Sequence, residues 1–241
     1  MNKIKRLRLA LLDIIYPRRC PVCDGILPFG GGDVHRECRI LLKKVGEVCC
    51  MKCGRPILDE AEVFCKFCRK ERHEFDTGVS VYMYTGMMKK SIYRFKYGNR
   101  QEYAKYYGRE LAGAIAHKRE MRGAGLIVPV PLFAGKLRSR GFNQAELLAR
   151  EISELLNIPM ASGLVERVRS TTAQKELGAF ERRKNLKKAF KIRRNDVELD
   201  SIIVVDDIYT TGSTIDGVAQ VLKEAGAKRV YAATLAIGAP K

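Results

Sequence analysis

The sequence predicts an α/β protein, a parallel sheet interleaved with helices, preceded by a small cysteine-rich module. Three observations predict it. The stretch SIIVVDDIYTTGST, residues 201–214, passes from an apolar run through two acids and a hydroxyl-rich loop into a helical pattern. A second apolar run, LIVPVP at 126–131, ends in prolines and is followed by another helical stretch. All eight cysteines fall before residue 69, mostly in C-x-x-C pairs.

With 241 residues, the chain has room for one large or two modest domains. A hydrophobic share of 46% is that of a folded, not a disordered, chain. The formal charge of +18 suits polyanionic partners: nucleic acid, an anionic membrane or phosphorylated substrates. A merely solvated basic surface reads equally well from composition. No apolar run reaches the roughly 18 residues of a membrane span.

Taken in order, MNKIKRLRLALLDIIYP opens like a signal peptide, but Asp13 interrupts the apolar run and no small-residue cleavage site follows. Leu7, Leu11, Ile14 and Ile15 fall at helical spacing instead, which predicts a short basic amphipathic helix in a cytoplasmic protein. Next come Cys20-x-x-Cys23 with His35-x-x-Cys38, and Cys50-x-x-Cys53 with Cys65-x-x-Cys68. Each member of the first set maps onto the second by adding 30 (20 + 30 = 50, 35 + 30 = 65), so the module is an internal duplication. Paired knuckles about a dozen residues apart are ribbon-like structural zinc sites, and tetrahedral zinc accepts Cys₃His as readily as Cys₄. Two zinc ions are expected. A disulfide framework conflicts with a reducing compartment. Cys49 has no counterpart in the repeat, where position 19 is Arg19, and reads as a bystander.

Residues 75–84 alternate as a strand, and 88–97 and 101–118 read as helices. The segment Tyr93-Arg94-Phe95-Lys96-Tyr97, with Arg100, interleaves bases and aromatics as a nucleic-acid surface does, although Ile92 and Phe95 at helical spacing also suit a core. The strand 126–131 carries Pro129, Val130 and Pro131 at its end. Lys136, Arg138 and Arg140 follow in a loop where α/β proteins bind ligands, three cations able to meet a pyrophosphate. Residues 142–156 form an amphipathic helix and 163–169 a strand. The polar stretch 170–185 is long for a connection and suits a flexible loop, with Gln174, Arg182, Arg183 and Asn185 placed to reach a ligand. Strands at 190–193 and 229–236 complete the set.

The run Ile202 to Val205 reads as a buried parallel strand. Thr210, Thr211, Gly212, Ser213 and Thr214 then offer hydroxyls and successive N–H groups at a helix start, a cradle for a phosphate monoester. Asp206 and Asp207 stand just before it, able to accept hydrogen bonds from sugar hydroxyls. Together these describe a ribose 5-phosphate site. A capped helix accounts for one hydroxyl, not four beside an acid pair. No G-x-x-x-x-G-K-[ST] is present, which removes a P-loop ATPase from consideration. The string resembles the 5-phosphoribosyl 1-pyrophosphate (PRPP) motif of type I phosphoribosyltransferases.

The knuckles, V-P-V-P-L and R-G-F-N-Q (128–132 and 140–144), T-x-x-Q with R-x-x-N and A-F (171–190), and V-V-D-D-x-x-T-T-G-S-T (204–214) together resemble the competence protein F (ComF) family. Its members are phosphoribosyltransferase-like proteins with an N-terminal double zinc ribbon. The resemblance implies a basic helix and double zinc ribbon over 1–75 and a type I phosphoribosyltransferase domain over 76–241, its central parallel sheet flanked by helices. It implies that Asp206 and Asp207 hold the ribose hydroxyls, 210–214 the 5-phosphate and the strand end at 129–131 the pyrophosphate. Magnesium would accompany PRPP, and the reaction would be substitution at the anomeric carbon with an unidentified acceptor. The family's link to transforming DNA implies single-stranded DNA and a competence helicase as partners. It also implies an alternative, a DNA-binding competence factor that keeps the fold as scaffold or nucleotide sensor without turnover.

Overall fold

The computed structural model describes residues 17–169, 189–193 and 200–239. The expected N-terminal helix and the loop residues Gln174, Arg182, Arg183 and Asn185 lie outside them. Two short helices, α1 (Arg36–Arg39) and α2 (Lys66–Lys70), each begin at the third ligand of a knuckle set, with His35 and Cys65 as their N-caps. The duplication read from spacing is therefore also structural. After the ribbons come β1 (Thr77–Met83), α3 (Gly86–Tyr97), α4 (Tyr103–His117) and β2 (Leu126–Pro129). They are followed by α5 (Ala134–Arg140), α6 (Gln144–Leu156), β3 (Val165–Arg167), β4 (Phe190–Ile192), β5 (Ser201–Tyr209), α7 (Ser213–Glu224) and β6 (Arg229–Ile237).

The central sheet runs β1-β6-β5-β2 and every pairing in it is parallel. Parallel strands need both faces covered, which is why Ile202 to Val205 carry no polar residue. Ile203 and Val205 pack with Leu111, Leu148 and Ile152 from α4 and α6. Ile202 and Val204 turn to the opposite face and meet Val218 and Leu222 of α7 with Phe190 of β4. Each of these fully buried side chains contributes about 1.5–3 kcal/mol relative to exposure. Both edges are extended by short segments. Val45 N–H donates to the Val81 carbonyl at 2.9 Å and Met83 N–H to that of Lys43 at 2.8 Å, so the linker between the ribbons covers β1. Residues 159–161 cover β2 through bonds of 2.9 Å to and from Ile127.

The stretch expected to be an open loop after Pro131 is instead the helix α5. Its seven residues span under two turns, too few for periodicity to show, and Gly141 in the left-handed conformation ends it. The strand expected at 163–169 shrinks to β3, which pairs antiparallel with β4 as a separate hairpin beside the sheet, Arg167 opposite Phe190.

Candidate functional site

The parallel strands all deliver their carboxyl ends to one side, and a cleft of about 350 Å³ opens there between β5, α5, α3 and β3. Asp206, Asp207, Thr210 and Thr214 line it from one wall, and Val130, Lys136 and Arg140 from another. Sequence-distant groups on the expected site are thus brought together. Pro129 and Pro131 shape the strand end without lining the cleft. Arg138 on the helix α5 is exposed and does not line the cleft, while Lys136 and Arg140, four residues apart, do.

The two acids differ in their surroundings. Asp207 is buried and pairs with Lys96 at 2.5 Å. Asp206 accepts a 2.8 Å bond from the Asp207 N–H, and its carboxyl is pushed up to about 7 by burial and by the Asp207 charge. On the opposite wall, burial followed by the charges of Arg167 and Arg140 pushes the Lys136 ammonium below its ordinary value. Crowded cations face crowded acids across the cleft. Such a cleft favours a ligand carrying anionic groups at one end and hydroxyls at the other.

The hydroxyls of the loop leading to α7 do not cap that helix. The N-cap of α7 is Gly212, with no side-chain capping bond, and the Thr211 and Ser213 hydroxyls bond to each other at 2.8 Å. Neither hydroxyl is consumed as a helix cap, so the plain-cap reading fails. Gly212 has a φ of +84°, and a Cβ there would meet the Tyr209 hydroxyl at 2.3 Å. The glycine makes room for what lies behind the loop.

Several residues of the cleft were not assigned to it from the sequence. Lys96 and Tyr97 arrive because β1 ends beside β6 and hands the chain to α3. Asn143 caps α6 by accepting from the Ala145 N–H at 3.1 Å, and donates to the Val130 carbonyl at 3.0 Å. Gln144 accepts from Arg140, and its Nε2 is buried without a partner among the described residues. Both lie in the R-G-F-N-Q string, which was a detectable signal. Arg167, on the hairpin, had none. The nucleic-acid reading of 93–100 also changes. Phe95 is in the core, Arg94 donates to the Val22 carbonyl and Arg100 binds Asp24 at 2.7 and 3.0 Å, so these bases hold the first ribbon. Tyr93 and Tyr97 remain exposed, their ring centroids 5.0 Å apart.

The knuckles gather into two clusters, Cys20-Cys23-His35-Cys38 and Cys50-Cys53-Cys65-Cys68, each with all ligand atoms within 4.8 Å of one another. All eight cysteines are free thiols. The Cys53 and Cys65 sulfurs are 3.7 Å apart, against about 3.8 Å for the edge of a tetrahedron with Zn–S bonds of about 2.3 Å. The neighbouring Cys50 pushes the Cys53 thiol up to about 12. His35 presents Nδ1 to Cys23 at 3.3 Å while Nε2 donates to the Ile26 carbonyl at 3.1 Å, the outer bond that fixes the tautomer of a metal-bound imidazole. Both sites fit structural zinc, and four protein ligands leave neither an open position for chemistry.

Comparison with known proteins agrees with this geometry. A double zinc ribbon domain matches residues 11–69 and a phosphoribosyl transferase domain matches 138–240. Competence protein F of Haemophilus influenzae is 31% identical over 217 residues, covering 88% of this chain and 93% of that protein. The DNA utilization protein YhgH of Escherichia coli is 32% identical over 220 residues, covering 90% and 96%. Competence protein ComFC of Bacillus subtilis is 30% identical over 196 residues, covering 79% and 78%. With ribbon and transferase domains in this order, and two relatives matched over more than 90% of their length, the chain belongs to the competence protein F family: a double zinc ribbon joined to a type I phosphoribosyltransferase-like fold.

Proposed function

We propose that the cleft binds PRPP with magnesium and that the chain acts as a phosphoribosyltransferase-like protein in DNA utilization. One observation carries the reading: an acid pair and a hydroxyl-rich helix start stand in one cleft opposite Lys136 and Arg140. Asp206 and Asp207 accept the ribose 2- and 3-hydroxyls. The 210–214 loop receives the 5-phosphate on its hydroxyls and on the N–H groups at the start of α7. Lys136 and Arg140 take the pyrophosphate, and Asn143 fixes the strand end they flank. The acids, two carboxylates facing a cation cluster, suit a divalent ion nearby; magnesium would neutralise the leaving pyrophosphate. In a transfer, a bond forms from the acceptor to the anomeric carbon while the bond to pyrophosphate breaks, its electron pair leaving with pyrophosphate. The developing positive charge on the ring lies beside the two carboxylates.

Calorimetry with Mg²⁺ and PRPP tests this reading. Saturable heat is expected from the wild type and none from the Asp206→Asn/Asp207→Asn double variant. No heat from the wild type at millimolar PRPP, or unchanged heat from the variant, sinks it.

A second reading keeps the fold as a nucleotide sensor on a protein that binds single-stranded DNA, without turnover. Its specific support is the exposed Tyr93–Tyr97 pair, with the Arg140 guanidinium 4.9 Å from the Tyr97 ring centre, since exposed rings beside cations can stack bases. The relatives named for competence and DNA utilization agree with it. Salt-dependent binding of an oligothymidine, lost in Tyr93→Ala/Tyr97→Ala, supports it. Binding that survives that change removes the surface from consideration.

A further inference from the structure

Resting on the reading of 210–214 as the 5-phosphate cradle, we propose that Arg55 of the second zinc ribbon is a positioning residue for that loop. On this account the ribbon is a working part of the ribose-phosphate site as well as a scaffold.

Arg55 follows Cys53 and Gly54 in the knuckle and is 2% exposed. Its fork reaches across the domain boundary to three backbone carbonyls: Nη1 donates to Gly238 at 2.7 Å and Ala239 at 2.8 Å, and Nη2 donates to Thr210 at 2.7 Å. The Arg55 guanidinium lies 5.0 Å from the ring centre of Phe67 of the same ribbon. Gly54, at φ +73°, lets the knuckle lie against the backbone of Gly78 to Ser80, with a Cβ position only 3.1–3.3 Å from those atoms. The knuckle is therefore fixed to β1 while its arginine grips the ends of β5 and β6. A rigid planar fork spanning three carbonyls is a task lysine cannot perform.

A second tether holds the far end of the loop. His73 Nδ1 donates to Asp216 at 2.8 Å, and the Glu74 N–H donates to the other oxygen at 2.9 Å. The His73 ring and the Tyr209 hydroxyl lie directly behind Gly212. Thr210 at the loop entrance and Asp216 in the first turn of α7 are thus both fixed from the ribbon side. A phosphate cradle made of N–H groups and hydroxyls works only if those donors are held in place before the ligand arrives. Among the described residues, no carboxylate pairs with Arg55. Its charge lies beneath a loop read as an anion site, which adds an attractive field there.

The test uses the full zinc-loaded chain and two probes that separate the halves of the cleft: ribose 5-phosphate and Mg²⁺-pyrophosphate. Arg55→Lys should weaken ribose 5-phosphate binding by at least about tenfold, the scale expected for losing charge-assisted bonds, and leave Mg²⁺-pyrophosphate binding within about twofold. Zinc content, measured alongside, should match the wild type. A general loss of folding would weaken both probes alike, so the split is the informative readout. Should Arg55→Lys fail to retain zinc, His73→Phe interrogates the second tether by the same pair of titrations, with the same one-sided loss expected. Wild-type affinity for ribose 5-phosphate in zinc-loaded Arg55→Lys, or in His73→Phe if that is the variant that folds, overturns the inference and leaves the PRPP reading standing. A wild type that binds neither ribose 5-phosphate nor PRPP overturns both.

Discussion

Asp206 and Asp207 are adjacent in sequence, yet the fold gives them different surroundings. Asp207 holds Lys96 at 2.5 Å, with only 11% and 19% of the two side chains exposed, so its charge stabilises the empty protein. Asp207→Asn should lower stability by about 1–3 kcal/mol, as expected for losing a charged hydrogen bond, and a denaturant titration measures it. Asp206 faces Asp207, Lys96 and Arg167, and its carboxyl is pushed up to about 7. The unfolded chain releases this proton at lower pH than the native state does. Stability is therefore lost as pH rises from about 4 to about 7. Asp206→Asn cannot ionise, so it should melt higher than wild type at pH 8, with the gain shrinking toward pH 5. A melting difference independent of pH contradicts this. The acid pair was legible in the sequence because strand, acids and loop are contiguous. Their inequality was not, because Lys96 comes from a helix that only the strand order places nearby.

At the scale of elements, the loop into α7 and the ribbons carry the account. Gly212→Ala forces a Cβ into the Tyr209 hydroxyl at a φ of +84°, so it should cost about 1–3 kcal/mol and displace the cradle. Chemical unfolding and PRPP titration should both register it, and a silent substitution would mean the loop is not held as described. For the ribbons, elemental analysis should find two zinc ions per chain, and one in His35→Ala. Two ions in that variant would remove His35 from the ligand set. Most strands and long helices were legible to within a residue or two because apolar runs and periodic stripes are local signals, but β5 runs four residues past the apolar run, through Asp206 and Asp207 to Tyr209. The seven-residue α5 was not, since it is too short to show a period. Nor was the β3–β4 pairing, whose partners lie 27 and 23 residues apart in sequence (192 − 165 and 190 − 167), beyond the reach of a local signal.

Over the whole molecule, the +18 charge is partly an internal resource and not simply an outward-facing surface. Arg94, Arg100 and Arg109 bind the first ribbon through the Val22 carbonyl, Asp24 and Asp33, while Arg55 and Lys96 serve the loop and the acid pair. Composition counts these charges without saying which way they face, and that is why it left nucleic acid and solvated surface undecided. The knuckle spacing made the ribbons legible, but not that they clasp the ends of β5 and β6. On the proposed reading, PRPP sits at the carboxyl ends of β5 and β2. Amide hydrogen exchange of the intact, zinc-loaded protein with and without Mg²⁺ and PRPP tests it most directly. The account predicts slowed exchange at 206–216 and 130–144, with the edge segment 43–45 and the carboxyl end of α4 unchanged. No protection, or protection confined to that edge segment and α4, would contradict it.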